Sequence, residues 1–196
     1  THSNGQVSDL IQYHKGKQNG LYAEWYSNGQ RYREIVYINN QRHGLSEEWH
    51  SNGQKFWKCS YSYGKKDGLH ESWYENGNRQ EKYNYTKDNK QGLCEDWHEN
   101  GQKALKYTIK NGKLNNLSES WYENGERWKK INYKDDKHHG LYESWHSNGN
   151  KRSRYHCKND QIDGIFEDWH PNGNRWKKAC YKDGQYHGLF EEWSLD

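Results

Sequence analysis

Proline occurs once in this chain of 196 residues, methionine not at all, and aliphatic side chains are scarce. Hydrophobic residues make up 30% of the chain and aromatics alone 16%, so Trp, Tyr and Phe supply more than half of the apolar content. A thick aliphatic core is therefore excluded; any core must be thin and aromatic. No apolar run approaches the ~20 residues that a helix needs to span a bilayer, which excludes a transmembrane helix. An excess of one charge is also missing. The 30 Lys and Arg against 27 Asp and Glu leave +3, too even for the basic stripe that marks nucleic-acid binding. The four cysteines, Cys59, Cys94, Cys157 and Cys180, show no CxxC spacing. They predict neither a disulfide framework nor a zinc site, but free thiols in a reducing, cytoplasmic compartment. No secretory leader is visible. The chain starts at Thr1 partway through a repeat and lacks Met, so the natural N-terminus is expected to be missing. Such polarity would ordinarily indicate disorder, but 11 Trp and 17 Tyr argue against it.

What is present is a repeat. Trp stands at 25, 49, 73, 97, 121, 145, 169 and 193, a period of 24 without an insertion. Around it runs a frame such as Gly68-Leu69-His70-Glu71-Ser72-Trp73-Tyr74-Glu75-Asn76-Gly77-Asn78-Arg79. Twelve residues past each Trp comes Tyr37, Tyr61, Tyr85, Tyr133 or Tyr181, with Ile109 and Cys157 as exceptions. Residues 1–196 thus form a single array of about eight units, expected to be cut mid-unit at both ends.

Each unit carries two turn signals. Pro171 before Asn172-Gly173 suits the second position of a type I turn, which makes the Asn-Gly site a three-residue loop with a left-handed glycine. The second signal is Asn40, Gly64, Asp88, Gly112, Asp136, Asp160 and Gly184, residue types that tolerate positive φ. The expected fold is all-β: an elongated, single-layer antiparallel meander of tandem 24-residue hairpins. Each unit adds roughly 10 Å, for a rod of roughly 75–80 Å. Simple alternation from the three-residue loop puts Leu69, Glu71, Trp73, Arg79, Tyr83 and Tyr85 on one face. The variable positions, among them Tyr32, Phe56, Gln80, Ala104, Trp128, Arg152 and Trp176, then fall on the other.

The run Gly-Leu-x-Glu-x-Trp-Tyr-x-Asn-Gly resembles the MORN repeat. It is closest to the variant class found in bacterial proteins labelled as toxin–antitoxin antitoxins and in large DNA viruses of amoebae. The likeness covers essentially the whole chain. It implies a β-hairpin array used for protein–protein contact, self-association or phospholipid binding, and no catalysis.

The residues point the same way. Trp25, Trp49, Trp73, Trp97, Trp121, Trp145, Trp169 and Trp193 read as a structural ladder on which each unit stacks its neighbour. Glu47, Glu71, Glu95, Glu119, Glu143 and Glu167 recur in every unit except at Ala23, whereas a catalytic carboxylate is singular. They are expected to pair across strands with Lys or Arg. The residue after Trp alternates between His and Tyr, and the base six past Trp between Lys and Arg, which makes the duplicated unit 48 residues; His170 breaks the pattern. Histidines in successive units lie roughly 10 Å or more apart, too far to share a metal ion. No G-x-S-x-G, HExxH or phosphate-binding loop occurs. No enzyme, cofactor or metal is expected. The expectation is a scaffold that binds another protein or itself, forming dimers or larger assemblies. An antitoxin-like binder, or a phospholipid- or carbohydrate-binding module at a membrane periphery or in a virion, is the alternative. Specificity is expected where the repeat departs from itself: Tyr32, Phe56, Trp57, Trp128 and Trp176.

Overall fold

The computed structural model describes residues 1–194. The chain divides into two compact units: Thr1–Gly92 with Glu99–Gly101, and Leu93–His98 with the chain from Gln102 onward. The first holds β1 (Asp9–His14), β2 (Lys17–Trp25), β3 (Arg31–Ile38), β4 (Gln41–Trp49), β5 (Lys55–Ser62), β6 (Lys65–Trp73) and β7 (Arg79–Thr86). Next in the chain comes β8 (Asn89–Trp97). The second holds β9 (Lys103–Lys110), β10 (Lys113–Trp121), β11 (Arg127–Lys134), β12 (Lys137–Trp145), β13 (Lys151–Lys158), β14 (Gln161–Ile162), β15 (Gly164–Trp169), β16 (Arg175–Lys182) and β17 (Gln185–Glu192). The fold is an all-β open antiparallel meander with no helix among the described residues. Strands pair with their neighbours in sequence, β14 and β15 together filling one strand's place opposite β13.

Two turn types alternate. At the Asn-Gly site, His170 N donates to the Asn174 carbonyl and Gly173 N to the His170 carbonyl, both at 2.9 Å. That is the expected three-residue loop, with Gly173 at φ +90. At the other end, Asn39 (φ 49) and Asn40 (φ 66) make a two-residue turn between the paired Ile38 and Gln41. Two successive positive φ values define the type I′ turn, whose twist matches that of the strands. Tyr63 accepts the same conformation at φ 45 ahead of Gly64.

Both ends of each hairpin are tied to the next repeat. At the loop, Asn28 Nδ2 donates to the Ser51 carbonyl at 2.9 Å while its Oδ1 accepts from Gln30 N at 3.0 Å. Asn124 does the same with Ser147 at 2.7 Å. At the type I′ turn, Asp88 N donates to the Lys66 carbonyl and Lys66 N to Asp88 Oδ1, each at 2.8 Å. One inserted residue would misalign both ties, which accounts for the unbroken period.

The face assignment needs correction. Trp73 pairs with Arg79, but Ser72 pairs with Glu81, so Gln80 has no partner. The same extra residue recurs as Tyr32, Phe56, Trp128, Arg152 and Trp176. This β-bulge shifts the alternation by one and sends everything beyond it to the opposite face. Trp73, Glu71, Leu69, Arg79, Lys82 and Asn84 therefore share one face. His70, Ser72, Glu81, Tyr83 and Tyr85 share the other. The repeated tyrosines do not join the tryptophan ladder. Most of the buried residues lie on the tyrosine face: Ile35, Ser46, Cys59 and Tyr83 in the first unit, Ser144, Cys157 and Ala179 in the second, with Ala23 and Glu71 buried on the tryptophan face. Trp25 to Trp169 are half-buried, and Trp193 is exposed.

On the tryptophan face the glutamates pair as their repetition predicts. Lys55 reaches Glu47 at 2.5 Å, Arg127 reaches Glu119 at 3.3 Å and Arg175 reaches Glu167 at 3.0 Å. The same cations lie against indoles, Lys55 at 5.5 Å from the Trp49 ring centre and Arg175 at 5.6 Å from Trp193. Ala23, which stands in place of this glutamate, is fully buried.

Candidate interaction site

On the tyrosine face of β5, β6 and β7 a cavity of about 370 Å³ opens. Its walls are Phe56, Trp57, Tyr61 and His70, with Cys59 at the base and Lys66, Ser72, Gln80 and Glu81 as polar contributors. Cross-strand pairing brings these side chains together: Cys59 lies opposite His70, and His70 opposite Tyr83. The imidazole is sandwiched, stacked on Tyr83 at 4.7 Å and facing Trp57 at 6.3 Å. Tyr85 closes the cluster edge-on at 5.4 Å from Tyr83.

Electrostatics follow from that packing. Burial pushes the His70 pKa down to about 4, against the pull of Glu81 and with the help of Lys66 and Lys90. The ring is therefore neutral at neutral pH. Burial also raises the Cys59 thiol and the Tyr83 hydroxyl, the latter further through its neighbours Tyr85 and Glu81. Ser72 Oγ donates to Gln80 Oε1 at 3.3 Å rather than to a base. Trp57 Nε1 donates to Glu48 Oε2 at 2.8 Å, which fixes the indole at the mouth. Glu48 belongs to a second cluster in which Arg33 lies 2.9 Å from Glu24, 3.6 Å from Glu48 and 4.4 Å above the Tyr32 ring.

Of the residues singled out for specificity, Phe56 and Trp57 meet in this cavity. Tyr32 packs on Tyr26 at 5.0 Å. Trp128 leans on Tyr122 at 5.8 Å and Trp176 on His170 at 5.7 Å, both exposed. All but Trp57 are bulge residues, so their backbone is unpaired and their side chains are set by local contacts alone. Sequence reasoning missed His70, Glu81 and Tyr83. The available signal was the pair three before and ten after Trp, whose members face each other: Tyr22 with Ile35, Ser46 with Cys59, Tyr142 with Tyr155, Phe166 with Ala179.

The histidine row has a structural role. His2, His50, His98 and His146 place Nε2 at 2.8, 3.1, 2.9 and 2.9 Å from the carbonyls of Trp25, Trp73, Trp121 and Trp169. A carbonyl only accepts, so Nε2 carries the proton. Tyr26 and Tyr122 donate to Trp49 and Trp145 at 2.8 and 2.9 Å. Among the described residues no group of three or more His, Cys, Asp and Glu is placed to hold a metal ion. Cys59, Cys94, Cys157 and Cys180 are not joined in disulfides, and the first three are buried.

No curated protein matches the chain. The model of the MORN repeat variant matches four segments, residues 18–39, 66–87, 114–135 and 162–183. These recur every 48 residues, the doubled unit already visible in the His/Tyr alternation. The windows between them fold alike: His50 N donates to the Gln54 carbonyl at 2.7 Å, and His98 and His146 make the same bond to Gln102 and Asn150 at 2.8 Å. Hairpin geometry, period and family match agree, and the chain is a MORN repeat protein of the variant class.

Proposed function

We propose that this repeat scaffold works without catalysis, by binding another protein, and that contact in the first unit centres on the cavity edged by Phe56 and Trp57. One observation carries the reading: a partly exposed aromatic rim, anchored by the Trp57–Glu48 hydrogen bond, surrounds a cavity with three aromatic walls and a few polar groups. Buried pockets ringed by Trp and Tyr are where binding energy concentrates in protein interfaces. Chemistry is disfavoured because the thiol is shifted toward its protonated form, Ser72 is bonded to an amide, and His70 is stacked between Trp57 and Tyr83. Binding a toxin, as the family resemblance suggests, would be one instance of the same activity.

The test is crosslinking and mass spectrometry of the tagged protein recovered from its host. The expected result is a stoichiometric foreign protein whose crosslinks to the first unit are lost in Phe56→Ser. Recovery of the protein alone would overturn the reading and favour self-assembly. Flotation with liposomes while no protein partner is found would favour the phospholipid alternative.

A further inference from the structure

The tryptophan face of the second unit carries a line of lysines that make no ion pair among the described residues. At the type I′ end of the hairpins stand Lys110, Lys113, Lys134, Lys137, Lys158 and Lys182, all exposed. Register places them on that face: Lys106 pairs with Glu119 and Lys130 with Glu143, and alternation continues to Lys110 and Lys134. Lys110 lies directly opposite Lys113, and Lys134 directly opposite Lys137. Like charges so placed disfavour the sheet. Among the described residues none of these six ammonium groups has a carboxylate within 4.0 Å, and Glu119, Glu143 and Glu167 are engaged by Arg127, Lys151 and Arg175. Of the turn aspartates, Asp136 and Asp160 accept backbone hydrogens from Leu114 and His138 at 2.7 and 2.8 Å. Asp135 and Asp183 sit at the turn tips and offset the line only in part. In the first unit the same positions read Ile38 and Gln41, Ser62 and Lys65. The doubled lysines belong to the second unit.

We propose that this line binds an acidic polypeptide segment, so that the partner of the scaffold presents Glu- or Asp-rich chain to the second unit. The inference rests on the protein-binding reading and names the partner's chemistry. From β9 to β13 the line has one cation per strand, about 4.8 Å apart, close to the spacing of carboxylates on successive turns of a helix or on a flexible acidic chain. A nucleic-acid strand would need rings on which to stack its bases. The indoles of this face do not offer them, since Arg127 lies over Trp145 at 5.5 Å, Lys151 over Trp169 at 5.8 Å and Arg175 over Trp193 at 5.6 Å.

The experiment measures fluorescence anisotropy of a labelled glutamate oligopeptide of about 20 residues titrated with the full chain, its length chosen to cover the line. Binding should weaken about tenfold or more between about 50 and 300 mM salt, as expected for exposed charges. Lys134→Glu combined with Lys137→Glu should weaken it by a further tenfold or so, while Lys65→Glu in the first unit changes it less than about twofold. The single variant Lys134→Glu supplies a second readout. It replaces a like-charge pair by an opposite one, so its Tm should not fall although binding does. Absence of saturable binding, or equal loss in Lys65→Glu, would overturn the proposal. Tighter binding to a single-stranded oligonucleotide or to phosphatidylserine vesicles than to the peptide would also overturn it. A foreign protein that crosslinks only to the first unit, together with no peptide binding, would end this inference and leave the scaffold reading standing.

Discussion

Tyr26 donates its phenolic hydrogen to the backbone carbonyl of Trp49 at 2.8 Å, and His50 does the same to Trp73 at 3.1 Å with a different side chain. The two residue types that alternate along the chain are thus equivalent in what they do. Each closes the carbonyl at the end of the next repeat's strand, because both side chains bring a ring and a terminal donor to the same place.

Removing the donor should cost about what a single hydrogen bond contributes, and swapping it should cost less. Tyr122→Phe is expected to lower stability by about 1 kcal/mol in urea unfolding, and Tyr122→His by distinctly less. A smaller loss in Tyr122→Phe than in Tyr122→His would mean that the ring, not the hydrogen bond to Trp145, supplies the stabilisation.

Glu71 is the most deeply placed of the repeated glutamates, with its side chain 7% exposed and both Lys58 and Arg79 within 2.9 Å. Burial alone would raise its pKa, but the Lys58 hydrogen bond and the two cations outweigh it and hold the carboxyl below its ordinary value. Glu71→Gln should therefore destabilise by roughly 2 kcal/mol, because two partly buried cations lose their counter-charge. Glu119→Gln, whose pair with Arg127 is longer and more exposed, should stay within about 1 kcal/mol. Thermal melts of the two variants side by side provide the check.

His70 makes stability depend on pH. Its pKa falls from 6.5 to about 4 on folding, so between those values the unfolded chain binds more protons than the folded one. The stabilisation is complete above pH 6.5 and is lost as the pH falls toward 4. The loss is expected to be on the order of 2 kcal/mol, the side chain being slightly exposed. His70→Phe should flatten this segment of the stability curve relative to the parent chain, while other titrating groups act alike in both.

The bulge residues should separate folding from recognition. Trp128→Ser and Trp176→Ser remove exposed rings whose backbone is unpaired, and each should change stability by less than about 1 kcal/mol. Trp57→Ser removes a half-buried ring and leaves Glu48 without its indole donor, so a loss of about 2 kcal/mol or more is expected in the same unfolding assay.

Much of this architecture was legible in the sequence. Twenty-four-residue spacing, the loop at Pro171-Asn172-Gly173 and the positive φ at Asn40 or Asp136 all follow from residue type and position. The faces did not follow, because the bulge at Gln80 or Phe56 carries no Gly, Pro or other mark. One unmarked residue was enough to move Tyr85 to the side opposite Trp73. Of the cavity, Phe56 and Trp57 could be named as departures from the repeat, but not His70 and Tyr83. Those two matter as a cross-strand pair, and the register that pairs them is itself set by the bulge. The lysine line was hidden for a related reason. Its members alternate with turn residues along the chain, and only the pairing of Lys134 with Lys137 gathers them on one face.

The measurement that bears most directly on the account is crosslinking and mass spectrometry of the chain recovered from its host, parent against Phe56→Ser. One stoichiometric foreign protein is expected, crosslinked around Phe56 and Trp57 in the parent and lost in the variant. Recovery of the chain alone, or of the same partner in equal amount from both, would contradict it.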